Sequence, residues 1–583
     1  MKKTLKLFVL FLFISTVSFA QNPTFQVNAQ KMNQLLKYIN EAYLDTVNFD
    51  LLVEKGVIEM LKELDPHSAY ISKKDVQQAN EPLIGSFDGI GVTFQLIKDT
   101  INIMEVIVNG PSEKVGLKAG DKIVKVDTAM ACGKHVNNKW VADHLRGTKG
   151  SKVSVFVKRG KNSELLEFTI TRDKIPMNSI NVFFMADKTT GYICLERFAQ
   201  TSAQELRDAV TRLKARGMKN LILDLRGNSG GYLQAAFEIS DEFIGPDKMI
   251  VYTDNFRGTG EKFKSSNKGD FLKGKLVVLV DEGSASASEI VSGAVQDWDR
   301  ALVLGRRTFG KGLVQKPIYL ADGSQIRLTI SKYYTPSGRC IQRPYNDGLD
   351  NYFNEFKDRQ THGEYLTADS IKFPDSLKYQ TAKGRTVYGG GGIMPDIFIP
   401  LDTSRYSSFY NEMYRKGVIS GFALDYMEKN REQLKTQFAT MEDFKNKFTI
   451  SEQLFQELMD FAHKENVKDT IAFQFSKRLE WFVKDKAGTL DSLYTSLEDM
   501  ENNEQYKKML ADYITESFNE SMRLRNLNKA NEFIKDALQY EIARNLFNYG
   551  EARQIFLMKD DGFLKALGVI NDDKIFKKYN VDY

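Results

Sequence analysis

Cysteine, histidine and net charge are all scarce in this sequence. The 583 residues hold 3 Cys and 5 His. Cys132, Cys194 and Cys340 are odd in number and lack ligand spacing, so a disulfide scaffold is excluded and each reads as a small buried hydrophobe. His67, His135, His144, His362 and His463 never fall in H-x-x-x-H or Cys/His spacing, which leaves no metal site to expect. A nucleophile here needs another base. The formal charge is +5, and Lys2, Lys3 and Lys6 account for three of those charges, leaving +2 without them. So small a surplus implies no nucleic-acid partner. No proline follows Pro400, and the uninterrupted apolar run Leu7–Ile14 is too short to span a bilayer, which takes about 20 residues.

What is present begins with an export signal. Three lysines in Met1–Lys6, the apolar run, and Ser18-Phe19-Ala20 predict a signal peptide over residues 1–20, cleaved after Ala20, and hence a periplasmic or secreted protein. An uncleaved membrane anchor is the alternative. At roughly 100–200 residues per domain, the length calls for about three to five domains.

Periodicity divides the mature chain into four segments. Residues 21–84 show helical spacing (Met32, Leu35, Leu36, Ile39; Leu51, Leu52, Ile58, Leu61) and form an arm too small for its own core. From 85 to 175 short strands alternate with Gly-rich turns, as in Gly91–Leu96, Ile101–Val108, Lys122–Val126, Val153–Lys158 and Glu167–Thr171, around one helix at Asn138–Leu145. From 176 to 400 strands such as Leu221–Leu225 and Leu276–Val280 alternate with helices near 203–215, 234–243 and 288–298. That order predicts an α/β layer with a largely parallel sheet. Residues 401–583 read as a separate all-helical domain, with Leu454, Leu458 and Phe461 on one face.

Three motifs compete for the chemistry. Gly305-x-x-x-x-Gly310-Lys311 imitates a phosphate loop, but Gly312 stands where Ser/Thr would bind Mg²⁺, and a strand follows where a helix should. Gly227-Asn228-Ser229-Gly230-Gly231 matches G-x-S-x-G between a strand and a helix, which makes Ser229 a candidate nucleophile of an α/β-type hydrolase. The same loop could instead supply backbone N–H donors. The third is the run Gly283–Glu289, where a serine at a helix N-terminus meets unpaired N–H groups. Ser286-x-x-Glu289 is also a plain capping box. Lys311, flanked by Gly310 and Gly312, is a candidate base, and on an extended strand it shares a face with Gln315.

Together the serine run, Thr308–Gln315 and Asp224–Gly231 resemble the carboxyl-terminal processing peptidases, or tail-specific proteases. Leu64–Ser68, Gly85–Gly91, Tyr333–Arg339 and Gly391–Asp396 extend the likeness over residues 30–400. The resemblance implies a multidomain α/β fold: a ClpP/crotonase-like peptidase domain with an inserted or preceding PDZ domain, an N-terminal helical arm and a C-terminal all-helical domain. It implies no cofactor. It aligns Ser286 with the nucleophile, Lys311 with the general base and Gln315 with the residue orienting that lysine. Backbone N–H groups of Ala287 and of Gly231, more than Gly230, become oxyanion donors, and Asp297 a structural support.

Lysine's reference pKa is about 10.4, so holding it neutral near pH 7 takes about 4 kcal/mol of differential stabilisation. The oxyanion donors are expected to add about 3–4 kcal/mol at the transition state. Residues 85–175 resemble a PDZ domain, with Gly89-Ile90-Gly91-Val92 as the carboxylate-binding loop; Val115 stands where the family more often has Ala. The implied function is an exported serine endopeptidase that binds protein substrates by the C-terminus. A homodimer through the arm and an adaptor are further expectations. The alternatives are a catalytically silent PDZ scaffold of the envelope and the Ser229 hydrolase.

Overall fold

A computed structural model describes residues 23–160, 164–403, 407–467 and 530–583, so the expected signal peptide lies outside the described residues. The chain forms two compact units, one of residues up to Lys74 with Pro317–Leu328, the other of Asp75–Lys316 with Thr329–Tyr583.

In the first unit, the helices Pro23–Ala42 and Phe49–Lys62 form the arm. Asn48 caps the second by accepting from the Leu51 N–H. Asp65 then stops the chain by accepting from His67 N, Ser68 N and Ser68 Oγ. Ala69–Ile71 pairs antiparallel with Gln325–Arg327. Met32, Leu35, Leu51, Leu52 and Met60 are exposed, and within these two helices only Leu61 is buried.

The second unit begins earlier than the sequence boundary at 84. Its first helix, Val76–Ile84, lies against the α/β segment that follows residue 175, with Gln200 N donating to Leu83 O and Met177 N to Gly85 O. The next segment leaves and returns through a two-strand stem, Ser86–Gly89 paired antiparallel with Asp173–Pro176, and is therefore an insertion. Its sheet runs Val92–Ile97, Thr100–Val106, Lys122–Val126, Lys152–Lys158, Leu166–Thr171 in spatial order, with Val92–Ile97 at the edge. Alternation sets the faces: Val153, Val155 and Val157 point into a core with Ile101, Ile123 and Leu145, while their neighbours face out.

The second large sheet places Val182–Met185 antiparallel beside Thr190–Cys194, followed by parallel Asn220–Asp224, Leu276–Val280, Leu302–Gly305 and Ile397–Phe398. Leu276–Val280 is buried throughout, as a strand covered on both faces must be. One face carries the helices Ser202–Lys214, Leu233–Asp241 and Ala287–Asp297.

The other face corrects an expectation. The last residues, read as part of a separate domain, supply Phe563, Ala566, Val569, Ile570 and Phe576 to a core shared with Phe184, Tyr192, Ile222, Leu279 and Leu304. Their pattern revealed a helix but not what covers it. The other described residues of the tail, through Phe422, Leu434, Phe444, Leu458 and Ile542, do build a core of their own.

Candidate active site

The strand Leu276–Val280 ends at Asp281, whose carboxylate organises two loops. Its Oδ1 accepts from Gly227 N at 2.8 Å, Gly283 N at 2.9 Å and Ser284 N at 3.1 Å. Ser284 and Ser288 are fully buried and act as struts, donating to the Leu225 and Asn228 carbonyls at 2.8 Å each. Ser286, between them, is only half-buried. Its backbone sits at φ 54°, ψ −110°, a conformation that costs a non-glycine residue of order 1–3 kcal/mol and that clusters at functional sites.

Glu289 links this serine to the lysine loop. Its buried carboxylate accepts from Ser286 N at 2.8 Å, Lys311 N at 2.9 Å, Gly310 N at 2.6 Å and Thr308 Oγ1 at 2.5 Å. Burial pushes the Glu289 pKa above the usual carboxylate range, and those four donors partly offset it. Tyr333 makes a second link. Its hydroxyl lies 3.0 Å from the Ser286 carbonyl and 2.7 Å from the Lys311 carbonyl, positioned to donate to either. The Lys311 ammonium donates to Gln315 Oε1 at 2.8 Å, and Gly312 N is held by Gln342 Oε1.

Gly230 explains the need for glycine next to the serine. A Cβ there would lie 2.8 Å from Ala285 O, 2.9 Å from Ser286 Cβ and 3.0 Å from Ala287 N. Its own N–H is spent on Asn228 Oδ1 at 2.9 Å, and its carbonyl accepts from Phe198 N. Gly231 follows at φ 151°, pressed on the Phe198 carbonyl. Among the described residues the N–H groups of Gly231 and Ala287 make no hydrogen bond, and both border the serine's loop. The geometry offers two unspent donors beside a strained hydroxyl, with Gly230 as the spacer that lets the loops touch.

The remaining candidates separate from this cluster. Asp297 lies at the far end of the helix, about 16 Å along its axis from Ser286 at 1.5 Å per residue. There it bonds Arg339 Nη2 at 2.7 Å and Ser337 N at 2.9 Å, fully buried. Ser229 is exposed and makes no hydrogen bond among the described residues, while His362 ends the helix Leu349–Thr361 and His463 lies on a tail helix. The three cysteines are free and half-buried, not buried as expected, with Cys194 pushed up to about 12 by burial.

In the inserted domain, Gly89 ends the stem strand and Gly91 turns the chain at φ 76°. The Ile90 side chain is buried, its carbonyl accepts from Ser112, and the Ile90 and Gly91 N–H groups make no hydrogen bond among the described residues. Val92 opens the edge strand beside them. Sequence reasoning missed Tyr333, Asp281 and Asn228, and read Glu289 as a cap alone.

Comparison with known proteins follows this geometry. Residues 189–349 match the model of peptidase family S41, residues 89–170 a PDZ domain, and residues 409–480 a family of unknown function, DUF8443. A probable CtpA-like serine protease of Staphylococcus aureus (strain MRSA252) is 35% identical over 338 residues, 57% of this chain and 66% of that protein. The carboxy-terminal processing protease CtpB of Bacillus subtilis (strain 168) is 33% identical over 321 residues, 54% and 65% of the two chains. The chain thus spans just under two thirds of the length of these relatives. Among solved structures, a photosystem II D1 C-terminal processing protease aligns with a TM-score of 0.34 at 24% identity, over 64% of this chain and 88% of that one.

Proposed function

We propose, from this chain's membership in the carboxyl-terminal processing peptidases of family S41, that it is a serine endopeptidase working through Ser286 and Lys311 on substrates held by their C-terminus. In this reading the neutral Lys311 amine takes the Ser286 Oγ proton as that oxygen attacks the scissile carbonyl. The tetrahedral oxyanion is met by the Gly231 and Ala287 N–H groups. Lys311 then passes the proton to the leaving amine, and water hydrolyses the acyl-enzyme with Lys311 again as base. Gln315 orients the lysine. The observation that carries the reading is the strained Ser286 backbone, held against Gly230 and tied to the Lys311 backbone through Glu289.

Substrate selection belongs to the PDZ domain. The Ile90 and Gly91 N–H groups make no hydrogen bond among the described residues and suit a terminal carboxylate, while the edge strand Val92–Ile97 can pair with an extended peptide. Export, with cleavage after Ala20, is part of the proposal; no helix among the described residues is long and apolar enough to cross a membrane. The exposed arm residues Met32, Leu35, Leu51, Leu52 and Met60 suit a homodimer contact, with an adaptor as a further partner.

The test is hydrolysis of one peptide made with a free and with an amidated C-terminus, by the wild type and by Ser286→Ala. Expected are preferential cleavage of the free acid and none by the variant. Turnover by Ser286→Ala would remove the dyad, and equal rates on acid and amide would remove the PDZ domain from recognition.

A further inference from the structure

The loop that carries Gly230 and Gly231 is fixed on its outer side by the C-terminal tail. Arg226, four residues before Gly230, lies over Asp224, with Nη2 at 2.7 Å from Oδ2 and Nε at 3.0 Å from Oδ1. Tyr192 holds Asp224 from below through its hydroxyl at 2.7 Å. The fork has one arm left, and Nη1 donates to Asp560 Oδ1 at 2.8 Å. The same Asp560 oxygen caps the helix Asp561–Ile570 by accepting from Phe563 N at 2.7 Å. Gly562 makes the approach possible, since a Cβ there would lie 2.6 Å from Arg226 Nη1. These tail residues lie beyond the stretch that the S41 model matches.

We propose that Asp560 is a positioning residue for the oxyanion loop, so that docking of the tail sets the turnover of the Ser286 site. The inference rests on the reading of Ser286, Gly231 and Ala287 given above. Between Arg226 and Gly231 the loop is tied by Gly227 N to Asp281, by Asn228 to Leu195 O and by the Gly230 carbonyl to Phe198 N, and its outer end is held by Arg226 N on Asp224 Oδ1 and by the guanidinium on Asp224 and Asp560. An arginine gripped from both sides fixes that end. Gripped from one side, it lets the loop slide and moves the Gly231 N–H off the developing oxyanion.

Two variants separate this from a structural role. Asp560→Asn keeps an N-cap of equal quality but loses the charge on Arg226, and Arg226 stays paired with Asp224, so no buried charge is orphaned. Gly562→Ala improves helix propensity while pushing the guanidinium aside. Both are expected to lower kcat about ten-fold, less than the roughly 10²–10³-fold of a lost oxyanion donor. The same variants slow fluorophosphonate labelling of Ser286, and KM and C-terminal peptide affinity stay within about two-fold. Asp573→Asn, which cuts the tail's ion pair to Lys275 elsewhere on the sheet, is the control and leaves kcat unchanged. Wild-type kcat in both Asp560→Asn and Gly562→Ala, or an equal fall in Asp573→Asn, overturns the inference. Should Ser286→Ala itself cleave, the reading of the site fails; if Ser286→Ala is inactive while Asp560→Asn matches wild type, only the tail's role fails.

Discussion

Glu289 holds a carboxylate where burial opposes its charge, and does so because its partners are all donors. Those four donors offset only part of the penalty that burial puts on its charge, and burial is the larger effect. Its pKa is raised in the folded chain, so the stability it contributes is complete below the ordinary value of 4.5 and is lost as pH rises through the folded value. Glu289→Gln removes that titration and turns an NH₂ toward donors. The variant is expected to lose about 2–5 kcal/mol by urea unfolding at neutral pH, with activity falling alongside. The difference in stability between wild type and variant should narrow as pH rises through that window; a constant difference would contradict the assigned burial. Ser286, Lys311 and Gln315 stand as candidates because the motif names them. Glu289 was readable only as a cap, since three of its four donors come from Thr308–Lys311, and no local pattern marks a bond across that distance.

At the level of elements, alternation and turn chemistry carried the strands and helices well: Lys122–Val126, Leu276–Val280 and Asn138–Leu145 lie where periodicity puts them. The failure was the tail, whose helical face looks the same in sequence whether it packs on its neighbours or on a sheet. Phe563, Val569, Ile570 and Phe576 are buried on the peptidase sheet, and at about 1.5–3 kcal/mol per large apolar side chain they contribute on the order of 6–12 kcal/mol. That is comparable to a whole domain's net stability of about 5–15 kcal/mol. A chain ending at Asn548 is therefore expected to be insoluble or unfolded by circular dichroism. A soluble, fully active truncated protease would show that the sheet needs no cover.

Across the whole second unit, the tail also meets the PDZ domain. Lys98 pairs with Glu465 at 2.6 Å and lies over the Phe461 ring, and Ile97 and Met104 pack with Leu424. Different helices of the tail thus contact the domain that would select a chain end and the sheet that would cut it. None of these contacts is readable from sequence, because each joins residues hundreds of positions apart. The central proposal remains chemical: a serine held at positive φ beside two N–H groups that are unspent among the described residues, with a lysine proposed as its base. Its most direct test is labelling with a fluorophosphonate, mapped by peptide mass in wild type and in Lys311→Ala. The account predicts a single adduct on Ser286 that forms at least about 10²-fold more slowly without Lys311. An adduct on Ser229, or labelling of Ser286 at the wild-type rate in Lys311→Ala, would contradict it.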